Sequence, residues 1–137
     1  MDQLDKKIIE LLSENARTPY KEIASKVGLS SPAVKSRITH MEEQGIIQGY
    51  RLSLNYEALG YLVTAYISAA VNKEDRDRFL AFVQNCPNII ECSGITGDAF
   101  AIIKVRFKST MELDHFLTDL QRFGETSTNI VLSAYRT

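Results

Sequence analysis

The chain has 137 residues, 45% of them hydrophobic, with 16 basic and 17 acidic side chains for a net charge of −1. That size fits one ordinary domain or two small ones, the apolar fraction is that of a globular protein, and the charge balance excludes a generally polybasic binder, so any strongly charged partner must meet a local patch. No apolar run approaches the ~18 residues needed to span a bilayer, the first residues carry Asp2, Asp5, Lys6 and Lys7 where a signal peptide would be basic and then apolar, and the spacing of Cys86 and Cys92 matches no zinc motif. The expectation is a cytoplasmic protein with no membrane partner, no metal, no cofactor and two buried or half-buried thiols.

Leu4, Ile8, Leu11 and Leu12 recur at helical spacing and predict a first helix ending near Asn15. Ile23 and Val27 lie four apart on a second helix; Leu29 follows a turn, and Val34, Ile38 and Met41 fall at i, i+4 and i+7 on a third. Together they form one apolar wedge, with Ala24 small where two helices cross and Gly28 suited to the positive φ of a tight helix-to-helix turn. Ser30 and Ser31 are candidate caps of the third helix and Pro32 fits its first turn, so that helix is predicted to begin at Ser31 or Pro32. Gly45 ends it. Ile46 to Leu54 then alternates around Gly49, predicting a short β-ribbon and hence a minimal winged helix-turn-helix over residues 1–54.

The polar face of the third helix points to DNA. At about 100° per residue from Val34, Pro32, Ser36, Thr39 and Glu43 lie opposite the buried centre, Lys35 and His40 flank them, and Arg37 sits nearer the buried edge. Hydroxyls reach phosphates or base edges and Lys or Arg supplies phosphate or guanine contacts, which equips this face for a major groove. From Arg17 to His40 there are five cations (Arg17, Lys21, Lys26, Lys35, Arg37) against Glu22 alone, a local patch whose binding is predicted to be salt-sensitive. Gln48 and Arg51 are the ribbon's candidates for DNA backbone contact. A home-bound Arg37, paired with Glu42 or Glu10, is the other expectation for that residue.

After a short linker at 55–60 the period changes. Leu62–Val71 reads as a strand, Lys73–Asn85 as a helix ended by Cys86-Pro87-Asn88, and Ile89–Thr96 as a strand turning tightly at Gly97-Asp98 into Ala99–Phe107. Ser109 with Glu112 reads as a capping box for a helix carrying Leu113, Phe116, Leu117 and Leu120, and Thr128–Tyr135 reads as a last strand. The order βαββαβ predicts a ferredoxin-like α+β domain over 61–137, with two helices on one sheet face. The other face is expected to be covered by a second copy, with Tyr66, Ile102, Val131 and Tyr135 among the residues meeting across it.

Leu4-Asp5, Ile8-Ile9, Gly28-Leu29-Ser30 with Ser31-Pro32 and Val34, Arg37, Glu42 with Gly45-Ile46-Ile47, Leu59-Gly60 and Gly97-Asp98 are together specific. The chain resembles, over essentially its whole length, the leucine-responsive regulatory protein and asparagine regulator (Lrp/AsnC) family. That resemblance implies a bacterial or archaeal transcription regulator that binds double-stranded DNA, dimerises through its C-terminal domain, often forms tetramers or octamers, and is tuned by a small-molecule effector, typically an amino acid. Ser31, Pro32, Ala33, Ser36, Arg37, Thr39 and His40 would be its DNA-facing set, to which the residue reading adds Ser30, Lys35 and Arg51.

By the same analogy the turn Thr96-Gly97-Asp98-Ala99-Phe100 lies at the effector site. Here the chain departs from the pattern: Phe100 stands where the family commonly has a second acid. If the site still binds an amino acid, Asp98 or a backbone carbonyl is left to take the amino group, and the added aromatic surface is expected to favour an apolar or aromatic ligand side chain; the other reading is that Gly97-Asp98 is simply a hairpin turn, Phe100 an interface or core residue, and DNA binding depends little on common amino acids. An enzyme is not expected, because His40 and His115 stand apart and neither a nucleophile, a metal cluster nor a phosphate-cradling glycine loop is visible. The alternative is a small-molecule-binding module whose helical half contacts protein.

Overall fold

The computed structural model describes all of residues 1–137. The chain divides into two compact units, Met1–Ser53 and Leu54–Thr137.

The first unit is three helices: α1 (Gln3–Glu14), α2 (Tyr20–Val27) and α3 (Ser31–Glu43). Helix α1 starts on a reciprocal cap, in which the Asp5 N–H donates to Asp2 Oδ1 at 2.9 Å and the Asp2 N–H donates to Asp5 Oδ2 at 3.2 Å. Gly28 takes φ +72° and ends α2, a conformation that costs a Cβ-bearing residue about 1–2 kcal/mol. Ser30 is the cap of α3, its Oγ accepting from the Ala33 N–H at 3.3 Å, with Pro32 in the first turn. Ile8, Ile23, Ala24, Val27, Val34, Ile38 and Met41 form the buried core, as the apolar spacing predicts.

The expected ribbon does not form. Ile46–Leu54 contains no strand, and Tyr50, Leu52 and Leu54 stand exposed, Leu52 at 79%. Alternation supplies one extended segment, but a ladder needs a second strand opposite it. Nothing after Gly49 turns back within the chain to provide one. The unit is a helix-turn-helix without a paired wing.

The second unit is the βαββαβ arrangement: β1 (Val63–Val71), α4 (Arg76–Asn85), β2 (Ile89–Gly94), β3 (Ala101–Phe107), α5 (Thr110–Leu120) and β4 (Gly124–Ile130). The strands run antiparallel in the order β2-β3-β1-β4. Residues 63, 65, 67, 69 and 71 of β1 and 101, 103, 105 and 107 of β3 are buried against Phe79, Leu113, Phe116, Leu120 and Phe123. Ser109 Oγ caps α5 by accepting from the Glu112 N–H at 3.2 Å. Asn55 opens a turn whose Tyr61 N–H donates to the Tyr56 carbonyl at 2.9 Å.

Two strand boundaries differ from expectation. The last strand begins at Gly124, four residues before Thr128, and ends at Ile130. Gly-Glu-Thr-Ser-Thr lacks apolar alternation, yet at an edge position it needs only to complete the β1 ladder, and Glu125 to Ile130 pair with Ala70 to Ala65. Tyr135 lies beyond it, 98% exposed. The β2–β3 connection is also wider than a two-residue hairpin, which would need positive φ at both central residues. Gly97 has φ +103°, but Asp98 does not join it, and the Phe100 N–H leaves the hairpin to donate to the Ala69 carbonyl at 2.9 Å.

The sheet face away from the helices carries Thr64, Tyr66, Ser68 and Ala70 of β1 opposite Arg106, Lys104 and Ile102 of β3 and Asn129, Ser127 and Glu125 of β4. Tyr66 and Ile102 are its large apolar groups. Val131 follows β4, its N–H donating to the Thr64 carbonyl at 2.8 Å.

Gly124 is the tightest backbone approach in the fold: a Cβ there would overlap the Ala70 carbonyl, whereas one at Gly45 would meet nothing within 4 Å. Gly124→Ala is expected to lower the unfolding free energy by roughly 2–4 kcal/mol and Gly45→Ala, strained only by its positive φ, by about 1–2 kcal/mol. Urea melts of both variants check the order; equal losses would mean that β4 shifts freely to relieve the overlap.

Candidate nucleic-acid interface

Burial of Val34, Ile38 and Met41 fixes the rotation of α3, and the opposite side is open. Pro32, Lys35, Ser36, Thr39, His40 and Glu43 line one shallow concavity along the helix, at spacings of three and four residues that stack them in a single stripe. A 13-residue helix is about 20 Å long, enough to lie along a major groove. Ser30 is exposed at the N-terminal end beside Pro32, while Ser31 and Ala33 are half-buried. Arg51 is exposed in the segment after α3, outside any strand. Lys35 is free of any ion pair, whereas Lys26 is paired with Glu22 at 3.5 Å.

Arg37 does not belong to that stripe. Its Nη1 donates to Asp2 Oδ2 at 2.7 Å and to Asp5 Oδ1 at 3.0 Å, so α3 is tied to the cap of α1 through an ion pair spanning 35 residues of sequence. The pairing with Glu42 or Glu10 is not what forms: the turn from α1 to α3 brings the α1 N-terminus, with two carboxylates already converged by their cap, against this edge of α3. The hydrogen bond from Arg37 holds the Asp2 carboxyl below its ordinary value, and the bond to Asp2 raises the guanidinium above its own. Asp2 therefore contributes fully above its ordinary 3.8, and that contribution is lost only as pH falls through the lowered value. Near neutrality the tie is closed. Asp2 and Asp5 were not legible as partners of α3, although Asp-x-x-Asp ahead of an apolar stripe is a cap signal.

In the second unit Thr96, Gly97 and Asp98 are exposed, and Ala99 and Phe100 are half-buried. They form one wall of a cleft of about 390 Å³, closed on the other side by Arg76 of α4. Phe100 lines that cleft with its ring already engaged on two sides. It packs edge-on against the buried Phe79, with centroids 6.0 Å apart, and the Arg76 guanidinium lies 4.3 Å over its face. Part of the aromatic surface expected to favour an apolar ligand is taken by a cation, Arg76, which Phe100 seats at the cleft. Sequence spacing gave no sign of Arg76, which lies 24 positions before Phe100.

Comparison with known proteins decides the family. The AsnC-type helix-turn-helix domain profile matches residues 1–42 and the Lrp/AsnC ligand binding domain profile matches residues 64–137. The chain belongs to the Lrp/AsnC family. It is 32% identical over 133 residues to the HTH-type transcriptional regulator LrpC of Bacillus subtilis, covering 97% of this chain and 92% of that one. It is 32% identical over 139 residues to the regulator FL11 of Pyrococcus furiosus, covering 99% and 92%. Among solved structures, B. subtilis LrpC superposes with a TM-score of 0.94 over 100% of this chain and 98% of its own, and E. coli AsnC, 32% identical, with 0.90 over 100% and 95%. A Neisseria meningitidis transcriptional regulator solved in complex with L-Met, 25% identical, superposes at 0.94 over 100% and 93%. This Lrp/AsnC chain is a DNA-binding transcription regulator with a helix-turn-helix followed by a ligand-binding α+β domain; no helix in it is long and apolar enough to cross a membrane.

The geometry separates two neighbouring cations on α3. Lys35→Ala is expected to leave the melting temperature unchanged and to lower the slope of log affinity against log salt by about one phosphate contact. Arg37→Ala is expected to lower the melting temperature while leaving that slope within error of the wild type. Thermal melts and salt titrations of both variants test this, and the reverse assignment of the two effects would place Arg37 on the DNA.

Proposed function

We propose that the regulator reads DNA with the outer stripe of α3, as a dimer or higher oligomer whose two α3 helices address half-sites about one helical turn, ~10 bp, or a multiple of it apart. The stripe itself carries this reading: Pro32, Lys35, Ser36, Thr39 and His40 converge on one open surface with hydroxyl, imidazole and ammonium groups suited to base edges and phosphates. Ser30 and Ser31 lie where the helix N-terminus approaches a phosphate, Ala33 is small enough for close approach, and Arg51 reaches the flanking backbone. Arg37 serves by holding α3 in place. The chain works in the cytoplasm, where its DNA is, and catalyses nothing.

Self-association rests on the sheet face bearing Tyr66 and Ile102, which in one copy has no covering layer. The Gly97-Asp98 cleft is the effector site, and its two charges define the ligand: Arg76 meets a carboxylate and Asp98 an ammonium group, a pairing that fits a free amino acid. The L-Met complex of the Neisseria regulator supports that ligand class. With Arg76 over one face of Phe100, the cleft selects through its charged ends more than through apolar contact.

Fluorescence anisotropy on DNA from the chain's own upstream region, with sedimentation at micromolar concentration, tests the assembly: a dimer or larger species with affinity falling steeply as salt rises is expected, and a monomer with salt-independent affinity would contradict it. A screen of the twenty amino acids tests the cleft. An effector at ten times its Kd adds about 1.4 kcal/mol of stability, a shift of a few degrees, which Asp98→Ala should abolish. No shift with any of the twenty would remove the cleft from the account.

A further inference from the structure

A second hollow, sharing no lining residue with the Gly97-Asp98 cleft, has its own chemistry. The turn that opens the second unit folds back so that Tyr56, Leu59 and Tyr61 face Ile89, Ile90 and Arg106 across a cavity of about 400 Å³. The Arg106 guanidinium lies flat on the Tyr56 ring, 3.7 Å from its centroid, and Tyr56 in turn meets Tyr61 edge-on at 6.2 Å. The backbone beneath is fixed twice, since the Arg106 N–H donates to the Asn88 carbonyl at 3.0 Å and Asn88 Nδ2 donates back to the Arg106 carbonyl at 2.8 Å.

Two features of a single copy mark the hollow, on the sheet face that Arg106 shares with Tyr66 and Ile102. Arg106 is half-buried yet takes part in none of the protein's ion pairs, and stacking on one ring leaves its edge N–H groups free to bind an anion. Leu59 and Ile90 remain exposed at the rim, at 55% and 38%, so the hollow pairs an unneutralised, oriented cation with an apolar wall. No carboxylate lines it to receive an ammonium group. A bulge at Ile90 in the β2–β3 pairing opens the strand at this point.

We propose that this hollow binds a small carboxylate with an aromatic or branched apolar body and no ammonium group, an aryl or 2-oxo acid, with the carboxylate held by Arg106 and the body against Tyr61, Leu59 and Ile90. It differs from the Gly97-Asp98 cleft in residues and in charge logic: one site offers both signs, this one only the positive.

Ligand-observed NMR and calorimetry on the full-length chain test it with phenylacetate and 4-methyl-2-oxopentanoate, against phenethylamine and 2-phenylethanol. Saturable binding of the two acids with Kd below about 1 mM is expected, with the amine and the alcohol at least about tenfold weaker. Arg106→Gln should weaken the acids at least about tenfold. Failure of both acids to saturate by about 10 mM would overturn the proposal, whether the hollow is empty or closed by another copy of the chain. So would equal binding of the amine, or acid binding that survives Arg106→Gln. The DNA-binding reading stands or falls separately, on the anisotropy measurements.

Discussion

Val34 and Ile38 hold α3 by one side, with at most 2% of either residue exposed, and from that seating follows which residues the helix can present. Burying two such side chains contributes roughly 1.5–3 kcal/mol each, far more than any single polar contact on the outer face. The helix cannot roll to bring Arg37 outward without exposing them. A rotation of one residue would replace the stripe from Pro32 to His40 with a different set of groups. The surface that α3 offers is thus a consequence of packing, and the Asp2–Asp5–Arg37 tie works in the same direction by fixing the edge that the apolar contacts leave free.

This seating also limits charge. Of the five cations between Arg17 and His40, Arg37 is occupied by two acids and Lys26 by Glu22. A surface left with so few free cations releases few counterions on binding, so one copy gains modest nonspecific affinity. In the proposed assembly, base contacts and the joining of several copies would supply the remainder, since linked sites raise affinity without new contacts. The exposed sheet face and the exposed Tyr50, Leu52 and Leu54 are the apolar surface such joining would use.

The sequence was most legible where local rules act alone. Gly28, Ser30 and Pro32 punctuate α2 and α3 because φ, capping and the missing N–H are local, and the core of the first unit follows from 3.6-residue spacing. The same rules failed where a partner decides. Ile46–Leu54 alternates like a strand but has no opposite strand in the chain; Gly124–Thr128 does not alternate but becomes a strand because β1 offers an edge. At the site, Pro32, Lys35, Ser36, Thr39 and His40 could be placed by rotation about the helix axis, and so could Arg37 near the buried edge, but not its partners Asp2 and Asp5, which stand more than 30 residues earlier. Phe100 was visible as a departure, but that it would lie under Arg76 depends on α4 packing and leaves no trace in spacing.

The central claim is that the α3 stripe touches base edges, and the most direct measurement is a binding-site selection from random duplexes with the wild type and with Ser36→Arg. Ser36 is exposed in the middle of the stripe, and an Arg there reaches a guanine O6 and N7 with two hydrogen bonds. The account predicts a changed preference, toward guanine, confined to one position in each half-site, with the rest of the selected sequence retained. An unchanged preference in the variant, with affinity altered equally for all sequences, would mean that this face meets only the phosphate backbone and that the reading surface lies elsewhere.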